Sequence, residues 1–132
     1  MRGAKLLLDS TDMGDVLDQM NREAGFPASI VTGANGLLVA SSVKSGDNPE
    51  KQSAVVAKLL EAGNLVQTQL SMGSTDELAF HAEDGRRLIC RPFHLNGQNL
   101  ILAVVVPRRD QAYRRATNRT ISLLRTLWNT TA

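Results

Sequence analysis

The sequence predicts a three-layer α/β domain, α+β in its antiparallel pairing, with the element order αββαβββα. Three observations carry that prediction. Leu100–Val106 is apolar at every position, and a strand without alternation must be covered on both faces. The dipeptides Asp84-Gly85 and Asn96-Gly97 separate this strand from two others, and both are strong hairpin signals of the type I′ kind. Three longer stretches repeat their apolar residues at helical spacing, which supplies the covering layers.

Helix one is expected from Asp12 to Ala24, capped by Ser10, Thr11 or Asp12. Met13, Val16, Leu17, Met20 and Ala24 form its apolar stripe. Gly25 suits the position after the helix, and Pro27 prevents its continuation. Ala28–Thr32 and Leu37–Ser41 flank Gly33-Ala34-Asn35-Gly36 as a hairpin. Residues 44–49 are a polar loop in which Asn48 can cap a helix that starts on Pro49. Helix two runs from Glu50 to about Leu70 with two apolar stripes, Val55, Leu59, Ala62, Val66 and Val56, Leu60, Gly63, Leu70. That arc is wider than one sheet contact requires. Gly63 in mid-helix costs about 1 kcal/mol against alanine; it implies either a close backbone approach or a local kink.

The first strand of the meander is expected over Asp76–Glu83, with Leu78, Phe80 and Ala82 on one face. The second is Arg86–Leu95. Pro92 lies inside it and cannot donate to a ladder, so a bulge or a local gap in pairing is expected there. Helix three is expected from about Arg108 to Trp128, with Tyr113, Ala116, Thr120, Leu124 and Leu127 as its stripe. Residues 1–11 are expected to be a flexible lead-in, 12–128 a single domain and 129–132 a loose tail.

With 132 residues, 42% hydrophobic and 21% charged, the chain is long and apolar enough to bury a core by itself. Its single cysteine, Cys90, excludes an intrachain disulfide and fits a reducing compartment. No export signal is legible, and the seven-residue apolar run is far short of the ~20 residues that span a bilayer. A cytoplasmic location is expected. Charge is uneven. Residues 9–24 hold five acids and one arginine, a balance of −4. Residues 108–128 hold six arginines and one acid, a balance of +5. Such a distribution marks either a basic tail for nucleic acid or membrane or two complementary helices lying side by side.

Reactive constellations are scarce. His81 and His94 both fall on strands with no carboxylate or thiol at metal-ligand spacing. Cys90 shares a strand face with Leu88 and reads as a core thiol. Gly33-Ala34-Asn35-Gly36 is followed by a strand rather than by a helix opening on Lys-Ser/Thr, so it is a turn and not a phosphate loop. The arginines of helix three have one tyrosine and one tryptophan for company, which is no stacking platform for nucleic acid. No enzyme, cofactor or metal is expected.

Taken in order and spacing, these elements resemble the roadblock (dynein light-chain roadblock) domain, of the prokaryotic type associated with small GTPases. The likeness spans about Asp15 to Leu127. It is carried by the leading helix with Gly25-Phe26-Pro27, the hairpin Ser29-Ile30-Val31-Thr32-Gly33-Ala34-Asn35-Gly36-Leu37-Leu38-Val39-Ala40-Ser41, and the long Ala/Leu/Val helix. The Glu77–Phe80 strand, the Asp84-Gly85 turn and the closing Asn99–Val105 strand complete it. Two features depart from the pattern: Ala34-Asn35 stands where an acid is frequent, and Pro92 is unusual in a central strand.

The resemblance implies a five-stranded, mostly antiparallel sheet of order 2-1-5-4-3, helix two on one face and helices one and three on the other. It further implies a non-catalytic homodimeric regulator or scaffold that binds a Ras-like small GTPase and modulates its nucleotide cycle. The edge strand and helix two are then the expected self-association surface, through Val55, Leu59, Ala62, Gly63, Val66, Glu77, Leu78, Ala79, Phe80 and His81, with Gly63 admitting the second copy closely. Lys51, Lys58, Glu61 and Gln67 are the expected partner-binding positions. The alternatives are a structural adaptor without a GTPase partner, and a small-molecule sensor. The sensor needs a pocket with converging polar groups, of which the sequence gives no sign.

Overall fold

The computed structural model describes residues 10–131. The expected lead-in lies outside them up to residue 9, and residue 132 lies outside them as well. In chain order the elements are α1 (Ser10–Ala24), β1 (Ala28–Gly33), β2 (Leu38–Ser42), α2 (Pro49–Gln69), β3 (Leu78–His81), β4 (Arg87–Leu95), β5 (Gln98–Val106) and α3 (Arg114–Thr131). The strands form one sheet of order β2-β1-β5-β4-β3, with every neighbouring pair antiparallel.

β5 is the interior of the fold, as its uninterrupted apolar run requires. It pairs with β1 on one side and β4 on the other. Leu100, Leu102, Val104 and Val106 face a cluster that includes Met13, Leu17 and Met20 of α1 and Ile121 and Leu124 of α3. Ile101 and Ala103 face the opposite way, into a smaller cluster with Ile30, Cys90 and Val56 of α2. Each such fully buried aliphatic side chain contributes about 1.5–3 kcal/mol. Period-2 geometry thus supplies both apolar layers from one strand.

Several boundaries differ from the sequence expectation for identifiable reasons. α1 begins two residues early, at Ser10, and α3 runs on to Thr131, so residues 129–131 are helical rather than a tail. α3 starts at Arg114 and not near Arg108, because residues 108–113 form a connection that begins with a turn, the Gln111 N–H donating to the carbonyl of Arg108 at 3.2 Å. Its carbonyls serve other partners there: Arg87 donates to the carbonyls of Arg108 and Gln111. The Gln111 amide in turn donates to the carbonyl of Ala24, at 2.9 Å. β3 holds four residues instead of eight. Pro92 makes no bulge: the β4–β5 register passes through Pro92 opposite Ile101, while β3 stops pairing at Cys90, so β4 has no neighbour on that side at the proline. The bulge lies instead between Val31 and Thr32 in the β1–β2 pair.

The turns divide as well. Asn96 (φ 51°) and Gly97 (φ 77°) are both left-handed, as a type I′ hairpin demands. At Asp84-Gly85 only the glycine is left-handed, and the Asp84 carboxylate accepts from the Arg86 backbone N–H at 3.0 Å. α2 opens as expected, with the Asn48 side chain accepting from the Lys51 N–H and Pro49 at the first position. α1 and α3 do pack side by side, but their charges meet only loosely. Arg119 stands 4.0 Å from Glu23, whereas Arg114 makes closer pairs with Asp76 and Glu77, just before β3.

Candidate functional site

α2 crosses its face of the sheet obliquely. Near its start Ser53 donates to the carbonyl of Gly36 in the β1–β2 turn, at 2.9 Å. Farther along, Gly63 lies against Leu78 of β3. This path covers the row Ile30, Ala103, Cys90 and Leu78, one residue from each of the four strands β1, β5, β4 and β3. The next row on the same face, Ala28, Val105, Leu88 and Phe80, follows from the same register and is covered much less well. The helix and this row enclose an open groove of about 470 Å³, lined by Val55, Val56, Ala28, Leu88 and Val105, with Asn48, Lys51 and Gln52 at its rim.

At ~100° per residue, Val55, Leu59, Ala62 and Val66 fall within one narrow arc on the flank of α2 beside the groove. Val55 is 53% exposed and Val66 42%; Ala62 is exposed and Leu59 half-buried. Phe80 is 58% exposed on the edge strand. Eight large apolar side chains are exposed among the described residues, and six of them (Val55, Leu65, Val66, Leu70, Met72, Phe80) belong to α2, the loop after it or β3. Apolar surface left bare is therefore concentrated on one region, the pattern of an interaction site. β3 is also a sheet edge with a free backbone side.

The expected site residues do not all lie on this surface. Val55, Leu59, Ala62, Val66, Ala79, Phe80 and His81 are on or beside it. Leu78 points inward and packs in the smaller cluster. Gly63 is buried, and a Cβ there would stand 3.2 Å from both Leu78 methyls and 3.3 Å from Thr75 Oγ1. Its bare face is turned to the chain's own β3, not outward to a second copy; the close approach is intramolecular. Glu77 lies before β3 rather than in it. Lys58 and Glu61 are exposed on the outer face of α2, 3.6 Å apart, and Lys51 is exposed between that face and the rim of the groove. Gln67 turns away from that face: its side-chain amide donates to Thr75 Oγ1 at 3.0 Å and is half-buried.

A polar cluster that sequence reasoning missed sits on the opposite face of the sheet. Arg91 of β4, only 7% exposed, donates to Thr117 Oγ1 and Asn118 Oδ1 of α3, both at 2.8 Å. Its Nε stands 3.9 Å from the Glu77 carboxylate. That carboxylate also accepts from the Tyr113 hydroxyl and, at 2.8 Å, from Arg114, which reaches Asp76 at 3.2 Å. The Arg87 guanidinium lies 5.3 Å from the centre of the Tyr113 ring. Burial and the Glu77 carboxylate raise the Tyr113 hydroxyl above its ordinary pKa, and the charge of Asp76 raises that of Arg114. One signal was available: in β4 Ile89, Arg91, Phe93 and Leu95 share a face, so an arginine stands in an apolar series and has to find partners.

No group of histidine, cysteine and carboxylate side chains among the described residues could hold a metal ion. Cys90 is 1% exposed, and burial pushes its thiol up to about 12, which makes it a core residue and not a nucleophile. No helix among the described residues is long and apolar enough to cross a membrane.

No family model and no curated protein matches the sequence. Solved structures do match. MglB of Myxococcus xanthus aligns with a TM-score of 0.73 over 90% of this chain and 96% of its own, at 14% identity. The gliding protein MglB of Thermus thermophilus gives 0.71 over 91% and 90%, at 15% identity. A roadblock/LC7 domain from Streptomyces avermitilis gives 0.70 over 86% and 92%, at 12% identity. The chain has the roadblock fold. At such identities the likeness carries the architecture alone. The sheet order and the allocation of helices to faces agree with those that the roadblock resemblance implied.

Proposed function

We propose that this roadblock-fold chain is a non-catalytic regulator or scaffold that self-associates through α2 and β3 and binds a Ras-like small GTPase, modulating its nucleotide cycle. The observation that carries the reading is the coincidence of bare apolar side chains, an apolar groove and an open sheet edge on one side of the molecule. Each feature alone is ordinary. Together they describe a surface that loses solvent contact on association, with hydrophobic burial as the driving force.

A two-fold contact would pair β3 with its copy antiparallel and bring the flank Val55, Leu59, Ala62 and Val66 against the partner's flank, one patch serving both subunits. The groove beside Val55 gives that flank a concave seat. Another solved MglB that shares the fold is described as having a tetrameric arrangement, in keeping with self-association. The outer face of α2, with Lys58 and Glu61, stays free in such a dimer and offers charged positions to the GTPase, with Lys51 between that face and the rim of the groove. The GTPase itself rests on the roadblock resemblance.

The decisive experiment is a pull-down of the Ras-like GTPase encoded nearby in the genome, loaded with GDP and with a GTP analogue. Binding in at least one state, reduced by Lys58→Glu, is the expected result. Binding in neither state sinks the GTPase reading and leaves the structural-adaptor reading, which uses the same self-association surface without a nucleotide partner.

A further inference from the structure

The self-association reading makes β3 a docking edge, yet β3 is the shortest strand of the sheet. It has four residues, and Ala79, Phe80 and His81 are exposed. Its pairing with β4 alone is a poor basis for a defined edge, since short edge strands fray readily. The segment just before it, Thr75–Leu78, is by contrast held from both sides of the sheet.

On the α2 side, Leu78 packs against the bare face of Gly63, and Gln67 donates to Thr75 at 3.0 Å. On the α3 side, Glu77 accepts from Tyr113 and Arg114 and stands beside Arg91, while Asp76 takes the other arm of Arg114. Four consecutive residues thus divide their attachments, the outer two, Thr75 and Leu78, to α2 and the inner two, Asp76 and Glu77, to the start of α3. Among the described residues Glu77 is the carboxylate that stands beside the buried Arg91, at 3.9 Å, and a buried guanidinium needs an opposite charge.

We propose that Thr75–Leu78 is a two-sided clamp that sets the position of β3 for docking, with Glu77 as its principal positioning residue. This rests on the reading of β3 as the self-association edge. The Glu77 carboxylate is turned to Tyr113 and Arg114 of its own chain. It acts by fixing where the strand after it begins, and it makes the docking edge depend on the first turn of α3. A partner or substitution that displaces Arg114 would then loosen an edge that docks alongside α2, on the face of the sheet opposite α3.

The test uses the full chain and two readouts. Amide hydrogen exchange, measured on dilute protein, reports the seating of residues 78–81 on β4, and sedimentation reports the self-association constant. Glu77→Gln keeps an acceptor for Tyr113 and removes the charge from Arg91 and Arg114. It is expected to speed exchange in residues 78–81 about tenfold or more and to weaken self-association by a similar factor, with β1 and β5 amides unchanged. Glu77→Asp, which restores the charge on a shorter arm, recovers part of both. Arg115→Gln, one residue beyond Arg114 and exposed, changes neither.

Unaltered exchange in residues 78–81 overturns the clamp. Faster exchange with unaltered self-association overturns its role in docking. If the unsubstituted chain proves monomeric, the docking role falls with the self-association reading, while the exchange measurement still decides the clamp. Should Glu77→Gln fail to fold, Arg114→Gln, exposed and less costly, gives the same two readouts.

Discussion

Replacing Gly63 separates two uses of one glycine. The structure turns its bare face to Leu78 and Thr75 of the same chain; the alternative is a helix–helix contact with a second copy. Alanine at this position gains about 1 kcal/mol of helix propensity. Its methyl meets the two Leu78 methyls at 3.2 Å and Thr75 Oγ1 at 3.3 Å, so the Leu78 side chain must shift by a few tenths of an ångström, at about 0.5–1.5 kcal/mol if it leaves its rotamer. The two terms nearly cancel, and Gly63→Ala is expected to change unfolding free energy by less than about 1 kcal/mol. Gly63→Val adds two further methyl groups to the same crowded space and is expected to cost about 1–3 kcal/mol. Denaturant unfolding on dilute protein measures the stability, and sedimentation of the same variants measures association. The intramolecular account expects stability to fall with side-chain size. A Gly63→Val chain that unfolds like the parent but associates tenfold more weakly would refute it.

Other elements give simpler expectations. Leu17 is fully buried under α1, so Leu17→Ala should cost about 2–5 kcal/mol in a denaturant titration. Asn48→Ala removes the side-chain acceptor for the Lys51 N–H and should cost about 1 kcal/mol by the same assay. Tyr113 has its folded-state pKa raised, by burial first and then by Glu77. The neutral phenol is therefore the form that the fold favours, and its contribution is complete below the ordinary value of 10.0. It declines as pH rises through the higher folded value. Stability should thus fall on going above pH 10, and Tyr113→Phe should flatten that slope.

The parts of this fold that the sequence made legible are those whose burial leaves a period. β5 shows its two covered faces as an unbroken apolar run, and α1 shows its one face as a stripe from Met13 to Ala24. The hairpin at Asn96-Gly97 is legible because its backbone needs residues that tolerate positive φ. What stayed hidden depends on partners distant in sequence. Asp76 and Glu77 continue the alternating pattern of β3, so nothing local reveals that they leave the strand for α3. The start of α3 was misplaced because Arg108–Ala112 has no helix breaker after Pro107; only the acceptance of Arg87 by its carbonyls shows that it is a connection. Gly63 was legible as a close approach but not as an approach to Leu78. Gln67 fell on a helix, and its turn toward Thr75 depends on where the following loop returns. Of the docking surface, the Val55–Val66 flank was readable from helical spacing. The groove beside it was not, because it arises from the oblique path of α2 across the sheet.

Self-association through α2 and β3 is the property on which the proposed function depends. Sedimentation equilibrium of the full chain at micromolar concentration should give twice the 14.3 kDa chain mass, and the double substitution Val66→Asp, Phe80→Asp, at two exposed positions, should return it to the single-chain mass without unfolding it. An unsubstituted chain that remains at 14.3 kDa throughout the micromolar range, or a double variant that stays dimeric, would contradict the account.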